Sequence, residues 1–168
     1  MGTAHAVLCA EESLSGKVVV VFADTLFRGN VKINENVDGI IWVKKVENPR
    51  PFGVVKVDNK NIITDFVEKS PVFVSDLAII GLYYFKNGEI LKKEIQYLID
   101  NNIRDKGEYQ LTNALENMKK KGARFYAGEI NEWLDCGNKD NTLQTHKRVL
   151  EINRSYSNRP ESLSTCIL

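Results

Sequence analysis

Four consecutive valines, Val18–Val21, continue into Phe22 and Ala23, and the apolar run stops at a single acid, Asp24. A short β-branched run without alternation is typical of a strand covered on both faces, as at the centre of a largely parallel sheet. In open α/β sheets, ligands bind beyond the carboxyl ends of the strands. Asp24 is therefore a candidate for metal or phosphate chemistry, and an acid that only caps a turn is the alternative.

The overall charge argues against polyanionic partners. The 168 residues contain 23 lysines and arginines against 22 acids, for a formal charge of +1. This balance gives no electrostatic reason to expect nucleic acid or an anionic membrane as a partner. No apolar run approaches the roughly 20 residues of a membrane span, and no basic, then apolar, leader opens the chain. These features predict a cytoplasmic protein.

Cysteines and histidines carry no recognisable site. Cys9, Cys136 and Cys166 are odd in number, widely spaced and form no C-x-x-C pair, which favours reduced thiols over disulfides or zinc. His5 and His146 have no His or Cys partner at ligand spacing, so both are interpreted as incidental residues. The sequence has no G-x-S-x-G elbow and no Ser-His-Asp arrangement.

The remaining apolar segments predict strands and helices in an irregular order. A helix over residues 2–14 precedes the valine strand, and five further strands are expected at VDGIIWVKKV, FGVVKVD, IITDFVEKS, LAIIGLYYF and ARFYAGEI. The turn Asp58–Asn61 joins FGVVKVD to IITDFVEKS in a hairpin. Gly81, inside LAIIGLYYF, indicates a bulge or a close approach of backbone to a ligand.

Helices are expected in the second half of the chain, at NGEILKKEIQYLID, GEYQLTNALENMKKKG and KDNTLQTHKRVLEIN, with Gly122 as a C-terminal stop. EWLDCGN is interpreted as a polar loop. The pattern predicts one α/β domain over residues 1–154 and a loose tail over 155–168, where periodicity is lost.

Two aspartates stand where the chain leaves an apolar segment, Asp24 and Asp135, 111 positions apart. Two converging carboxylates suit Mg²⁺, which takes one or two protein acids and completes its shell with water and phosphates. Spacing alone does not establish convergence, so two unrelated turn residues are the alternative.

A second acid-and-base pair, Glu68 and Lys69, ends the hairpin. An acceptor for hydroxyl groups beside a cation that pairs with phosphate suits a sugar phosphate, whereas a solvated strand end is the plain alternative. In NPRPFGVV, Gly53 would allow backbone contact with a sugar ring, unless it only continues an ordinary turn.

Seven segments together resemble one known family. GTAHA, FADTLF, NPRPFGVVKVD, FVEKS, LAIIGLYYF, KGEYQLTNAL and EWLDCGN occur in the order of the motifs of sugar-1-phosphate nucleotidylyltransferases, which include glucose-1-phosphate thymidylyltransferase and uridylyltransferase. The resemblance runs from Gly2 to about Asn153. It implies a nucleotide-diphospho-sugar transferase-like, Rossmann-like α/β fold, with a mixed, mainly parallel sheet flanked by helices.

The resemblance implies a reaction between a nucleoside triphosphate and a sugar 1-phosphate, which yields an NDP-sugar and pyrophosphate with Mg²⁺ as cofactor. By motif, Asp24 and Asp135 would hold the metal, and Lys69 would neutralise the sugar phosphate. Positioning and charge neutralisation would then suffice for in-line attack of the sugar phosphate on the α-phosphorus.

The same resemblance implies further substrate-binding residues. Glu68 would accept hydrogen bonds from sugar hydroxyls, Gly53 would let its backbone approach the ring, and Tyr83 would line the sugar pocket. Gly2 would lie near the nucleobase. Lys106 occupies the position of a phosphate-contacting arginine that is common in the thymidylyltransferases, a change that would weaken a bidentate contact.

The sequence also departs from the family pattern. The family's glycine-rich triphosphate loop, G-x-G-x-R-x-x-P-x-T, has no match, and GTAHA directly follows Met1. We therefore expect an N-terminally truncated domain, the sugar- and metal-binding portion, inactive by itself. Because family members are often oligomeric, the resemblance leaves a homo-oligomer open. The alternatives are a non-catalytic sugar-phosphate-binding or regulatory module and a remnant that binds no ligand. Sugar, base and oligomeric state are not specified by the sequence.

Overall fold

A computed structural model describes residues 1–157, which form eight strands and four α-helices in the order expected of a mixed α/β domain. The strands are β1 (Val18–Val21), β2 (Thr25–Arg28), β3 (Gly39–Lys45), β4 (Gly53–Val57), β5 (Ile63–Glu68), β6 (Leu77–Phe85), β7 (Phe125–Glu129) and β8 (Glu132–Asp135). The helices are α1 (Thr3–Leu8), α2 (Gly88–Asp100), α3 (Leu111–Lys120) and α4 (Lys139–Ser157).

The main sheet is built around β6, which is the longest strand and is buried over nearly its whole length. Its strand order is β5-β4-β6-β3-β7, and β1 also pairs with β6. Because β3 pairs with β6 along most of one side, β1 and β4 must share the other side. Val21 of β1 is opposite Leu82, and Val54 of β4 is opposite Ala78. A gap in strand pairing therefore remains along Ile79–Gly81.

The expected mixed sheet is confirmed, but its expected parallel character is wrong. Strand β3 runs parallel to β7, whereas the β1–β6, β3–β6, β4–β5 and β4–β6 pairs are antiparallel. A strand buried on both faces is apolar throughout whether its neighbours run parallel or antiparallel to it. Local composition therefore does not indicate the direction of pairing. The predicted hairpin around Asp58–Asn61 is confirmed as β4 and β5.

The valine strand is not central, which corrects the first expectation. Within residues 1–157, β1 pairs only with β6, and its other edge has no strand partner. Val18 and Val20 pack against the core, while the alternate residues Val19 and Val21 are 55% and 49% exposed. An identical side chain at every position thus acquires an in-and-out pattern from the position of the strand in the sheet.

Helices α2 and α3 cover one face of the sheet. The apolar residues of each recur at three- and four-residue spacing and bury in one cluster with β-strand aromatics, namely Leu91, Ile95, Leu98, Leu111, Leu115, Met118, Phe85 and Phe125. Asn87 caps α2 by accepting a 2.9 Å hydrogen bond from the Ile90 amide. Gly122, with φ of 98°, follows the end of α3 as predicted.

Three helices differ from expectation at a boundary, and one of them, predicted at GEYQLTNALENMKKKG, begins only at Leu111. The predicted helix over residues 2–14 is α1 followed by a separate 3₁₀ turn, Glu11–Ser13. Helix α4 continues to Ser157, three residues into the predicted tail, and the rest of that tail lies outside the described residues. No helix in the described part of the chain is long and apolar enough to cross a membrane.

Candidate active site

A small second sheet, which the sequence analysis did not predict, forms one part of the site. Strands β2 and β8 pair antiparallel, with Thr25 opposite Asp135 and Arg28 opposite Glu132. The Arg28 guanidinium donates to the Glu132 carboxylate at 3.0 Å, and Arg148 of α4 donates to the same carboxylate at 2.5 Å. EWLDCGN, expected to be a loop, therefore begins as a strand.

This pairing brings the two predicted metal ligands together. The Cys136 amide donates a 2.8 Å hydrogen bond to the Asp24 carbonyl. A methyl group built on Gly137 would lie 3.0 Å from Asp135 Oδ1 and 3.6 Å from Asp24 Oδ2. The two carboxylates thus border one point in space, which decides against two unrelated turn residues. Within residues 1–157 the Asp24 carboxylate accepts no hydrogen bond, so it does not cap a turn.

The donor set fits a hard divalent cation. Among the described residues, no three or more His, Cys, Asp or Glu side chains are grouped as a metal cage. Mg²⁺ requires no such cage, because it keeps several waters and uses one or two carboxylates together with substrate phosphates. Asp24 and Asp135 supply two such carboxylates, and the cavity beside them leaves room for water and phosphate ligands.

The cavity occupies the gap in the main sheet and has a volume of about 340 Å³. Gly81, with φ of 82°, lies beside the shift in β3–β6 register and accepts a hydrogen bond from the Phe22 amide at 2.9 Å. The predicted bulge is therefore present and shapes the floor. Predicted site residues that line the cavity are Asp24, Gly53, Glu68, Lys69, Tyr83 and Asp135.

Glu68 is a largely buried carboxylate at the end of β5, with its side chain 9% exposed. Thr112 of α3 donates a 3.0 Å hydrogen bond to its Oε2. Burial raises the pKa of Glu68, and the Thr112 hydroxyl and nearby Lys69 oppose that rise. A methyl group on Gly53 would lie 2.9 Å from Glu68 Oε2, so glycine provides the room for this carboxylate.

Lys69 has a left-handed backbone, with φ of 40°, which is uncommon for a residue other than glycine. Its ammonium lies 3.8 Å from Glu68 Oε1, and the Lys69 side chain is nearly half exposed. The Lys69 amide donates to the Phe52 carbonyl at 3.2 Å, and Lys106 Nζ donates to the Lys69 carbonyl at 2.5 Å. Lys106, which does not line the cavity, contacts the backbone that carries Lys69.

Tyr83 and Gly2 differ in their relation to the cavity. Tyr83 is buried, packs edge-to-face on Phe22 at 5.6 Å, and lines the cavity. Burial, followed by the charges of Glu68 and Asp24, raises the Tyr83 pKa, which keeps its hydroxyl protonated. Gly2 lies outside the lining, where a methyl group would come within 2.6 Å of the carbonyl oxygen of Tyr109.

Several lining residues escaped the sequence analysis. Phe52 and Trp133, which are distant in sequence, form an edge-to-face pair with ring centroids 5.0 Å apart. Phe52 directly precedes the predicted site residue Gly53, and Trp133 lies two residues before Asp135. This proximity in sequence was the only signal that could have identified them. Thr112 gave none, because its helical pattern marks only a buried position.

These features define an α/β domain with an acidic pair, a lysine and a carboxylate around one cavity, and comparison with known proteins identifies its family. Residues 1–152 match the model of the Nucleotidyl transferase family, and the chain belongs to that family. A bifunctional protein GlmU of Methanococcus aeolicus is 31% identical over 152 residues, covering 89% of this chain and 36% of that protein.

A second relative agrees with the first. A bifunctional sugar-1-phosphate nucleotidylyltransferase/acetyltransferase of Sulfurisphaera tokodaii is 29% identical over 156 residues, which cover 89% of this chain and 36% of that protein. The resemblance to sugar-1-phosphate nucleotidylyltransferases is thereby confirmed. The chain spans just over a third of the length of these curated relatives.

Solved structures confirm the fold. A nucleoside-diphosphate-sugar pyrophosphorylase from Vibrio cholerae superimposes with a TM-score of 0.74 at 22% identity, over 87% of this chain and 65% of that one. A UDP-glucose pyrophosphorylase solved with UDP-glucose gives 0.71 at 19% identity, over 90% and 62%. The mixed sheet with flanking helices is that of nucleotide-diphospho-sugar transferases.

Proposed function

We propose that this chain provides the sugar-phosphate- and metal-binding part of a sugar-1-phosphate nucleotidylyltransferase. The reaction joins a nucleoside monophosphate, taken from a nucleoside triphosphate, to a sugar 1-phosphate and releases pyrophosphate. One observation carries the proposal: Asp24, Asp135, Glu68 and Lys69 line a single cavity of about 340 Å³. The family and its relatives support the reaction class.

The proposed phosphate-binding lysine and the proposed metal ligands line the same cavity. Lys69 would pair with the phosphate of the sugar 1-phosphate, because it is the charged donor nearest to Glu68 on the cavity wall. Asp24 and Asp135 would hold Mg²⁺, which when bound neutralises phosphate charge and orients the transferred group. Two anions held in line around these residues need little further chemical assistance.

Sugar recognition would fall to Glu68, Gly53 and Tyr83. Glu68 keeps one carboxylate oxygen available while Thr112 holds the other at 3.0 Å, so it would accept hydrogen bonds from ring hydroxyls. Gly53 would let backbone approach the ring, and buried Tyr83 would form an apolar wall with a polar tip. These are the contacts of a hydroxyl-rich ring.

Two expected roles are more remote. Gly2 would approach the nucleobase, a proposal supported by its neighbour Thr3, which lines the cavity. Lys106 would act on the sugar phosphate through Lys69, since its ammonium donates to the Lys69 carbonyl. A nucleoside triphosphate and a sugar 1-phosphate are thus the proposed partners, and Mg²⁺ is the proposed cofactor.

A non-catalytic sugar-phosphate-binding module is the second candidate function. It would use the same Glu68 and Lys69 side of the cavity and would not need a triphosphate loop, a motif that the 168 residues do not match. Both functions require sugar 1-phosphate binding, whereas only the first requires nucleotidyl transfer. An in-frame coding sequence for the loop ahead of Met1 would favour the transferase.

Binding and turnover separate these possibilities. We expect glucose 1-phosphate to raise the thermal midpoint of the chain more than glucose or inorganic phosphate does, and ligand at a hundred times its Kd should stabilise by about 2.7 kcal/mol. Pyrophosphate release is measured in parallel with Mg²⁺ and each common nucleoside triphosphate. No shift with a panel of sugar 1-phosphates would contradict both functions.

A further inference from the structure

Helix α4 begins four residues after Asp135, and one face of its first turns reaches back to that residue. Asn141 and Thr145 are separated by four positions and therefore lie on the same helix face. The Asn141 Nδ2 donates to Asp135 Oδ2 at 2.5 Å, and the Thr145 hydroxyl donates to the Asp135 carbonyl at 2.8 Å. Side chain and backbone of one aspartate are thus held by one helix.

The Asp135 carboxylate is consequently fixed at both oxygens. The Gly137 amide donates to Oδ1 at 2.8 Å, on the side that faces Asp24, while Asn141 holds Oδ2. Donors to a carboxylate make strong, charge-assisted hydrogen bonds. The Asp24 carboxylate differs, because within residues 1–157 it accepts no hydrogen bond. The two acids therefore differ in freedom: one is oriented by its surroundings and the other can adapt.

The helix that supplies Asn141 is itself anchored to the same strand. Arg148, two turns further along α4, donates to Glu132 of β8 at 2.5 Å, and Arg28 of β2 binds the other oxygen of that carboxylate at 3.0 Å. Thr145, which lies between Asn141 and Arg148 on α4, is buried, with 6% of its surface exposed. The position of the Asn141 amide relative to Asp135 is thus set at several points along α4.

We propose that Asn141 is a positioning residue, which orients the Asp135 carboxylate so that its remaining lone pairs face a cation shared with Asp24. This inference rests on the proposed metal-binding role of Asp135. Groups that hydrogen-bond to metal ligands orient them, and their removal typically costs about 10–100-fold in metal affinity or activity. Without the Asn141 amide, Asp135 Oδ2 loses this donor and the carboxylate is free to rotate about its side chain.

The test uses the whole 168-residue chain and Mn²⁺ as the probe. Paramagnetic broadening of the Gly137 amide signal in NMR spectra reports a cation beside Asp135, even at low affinity. We expect Asn141→Ala to require about tenfold more Mn²⁺ for half-maximal broadening. Alanine is the better helix former, so α4 should persist. Asn141→Gln, which retains the amide on a longer arm, should recover part of the affinity.

Two further variants identify the origin of any loss. Thr142→Ala is the matched control, because the Thr142 hydroxyl donates to the Asn138 and Cys136 carbonyls and not to the carboxylate of Asp135. It should leave Mn²⁺ affinity unchanged, with thermal unfolding measured for every variant without metal. Asp135→Asn should abolish the broadening at Gly137.

Each outcome is decisive. Equal Mn²⁺ affinity in wild type and Asn141→Ala, or an equal loss in Thr142→Ala, would overturn the positioning role while leaving Asp135 as a metal ligand. Broadening at Gly137 that is absent in wild type, or that persists unchanged in Asp135→Asn, would instead overturn the metal role of Asp135, and the role of Asn141 with it.

Discussion

Asp135 lies directly opposite Thr25 in the antiparallel pair of β2 and β8. This register places Asp135 next to Asp24, although 110 residues separate the two acids along the chain. Each strand has only four residues, and the pair is reinforced by the Arg28–Glu132 ion pair at 3.0 Å. A short two-stranded ribbon therefore assembles the acidic centre of the cavity.

Removing one acid of this centre should affect rate more than stability. Asp24→Asn or Asp135→Asn, in an active enzyme that contains this segment, should nearly abolish turnover, since each change removes charge from the metal site and almost no volume. Asp100→Asn, at the exposed end of α2, is the matched control. Pyrophosphate release and thermal unfolding are measured together, and near wild-type turnover at low Mg²⁺ would refute the assignment.

Lys69→Ala should weaken sugar 1-phosphate binding and leave nucleoside triphosphate binding nearly unchanged. A lost charge-assisted contact costs on the order of 1.5–3 kcal/mol, and because the Lys69 side chain is nearly half exposed the lower end applies, about tenfold in Kd. Calorimetry with each substrate provides the measurement. Lys45→Ala, at an exposed ion pair with Asp76, serves as control. Equal losses for both substrates would show that Lys69 is misassigned.

Relative to wild type, Glu68→Gln should stabilise the fold increasingly as pH rises above 4.5, the ordinary pKa of glutamate. Burial raises the Glu68 pKa above its ordinary value of 4.5, so the folded state holds this proton more tightly than the unfolded state. Ionisation of Glu68 therefore lowers the stability of wild type relative to Glu68→Gln as pH rises above 4.5, because glutamine cannot ionise. Thermal midpoints of both proteins across this range give the test.

A second substitution at the same site checks the cause of the pH effect. The Thr112 hydroxyl favours the charged form of Glu68, so Thr112→Val should steepen the loss of stability with rising pH. A stability difference between Glu68→Gln and wild type that is independent of pH would mean that Glu68 does not have a raised pKa.

The free edge of β1 should cause concentration-dependent self-association of the chain. Within residues 1–157 this edge has no strand partner, and Val19 and Val21 expose about half of their surfaces. Unpaired edges with apolar side chains favour edge-to-edge pairing, and a lysine there opposes it. Sedimentation velocity should show that Val21→Lys reduces association, while Val72→Lys, in an exposed loop, does not. A monomer at all concentrations would contradict this expectation.

The sequence by itself specified the long elements of this fold. LAIIGLYYF became β6 with the predicted boundaries, and the helical repeats of α2 and α3 placed their apolar residues in one core. These segments are long enough for periodicity to be legible, and their burial is uniform. The motif order also placed Asp24, Glu68, Lys69 and Asp135 among the candidate site residues. These four line the cavity, whereas the candidates Gly2 and Lys106 do not.

Tertiary structure alone decided how those residues meet. Strands β2 and β8 were not predicted, because four residues of mixed burial carry no clear period and each strand exists only through pairing with the other. Sheet direction and the edge position of β1 were likewise unspecified, since apolar runs such as Val18–Val21 encode burial tendency but not a neighbour. Contacts between distant segments depend on the whole packed chain, and so the convergence of Asp24 and Asp135 is a property of the fold.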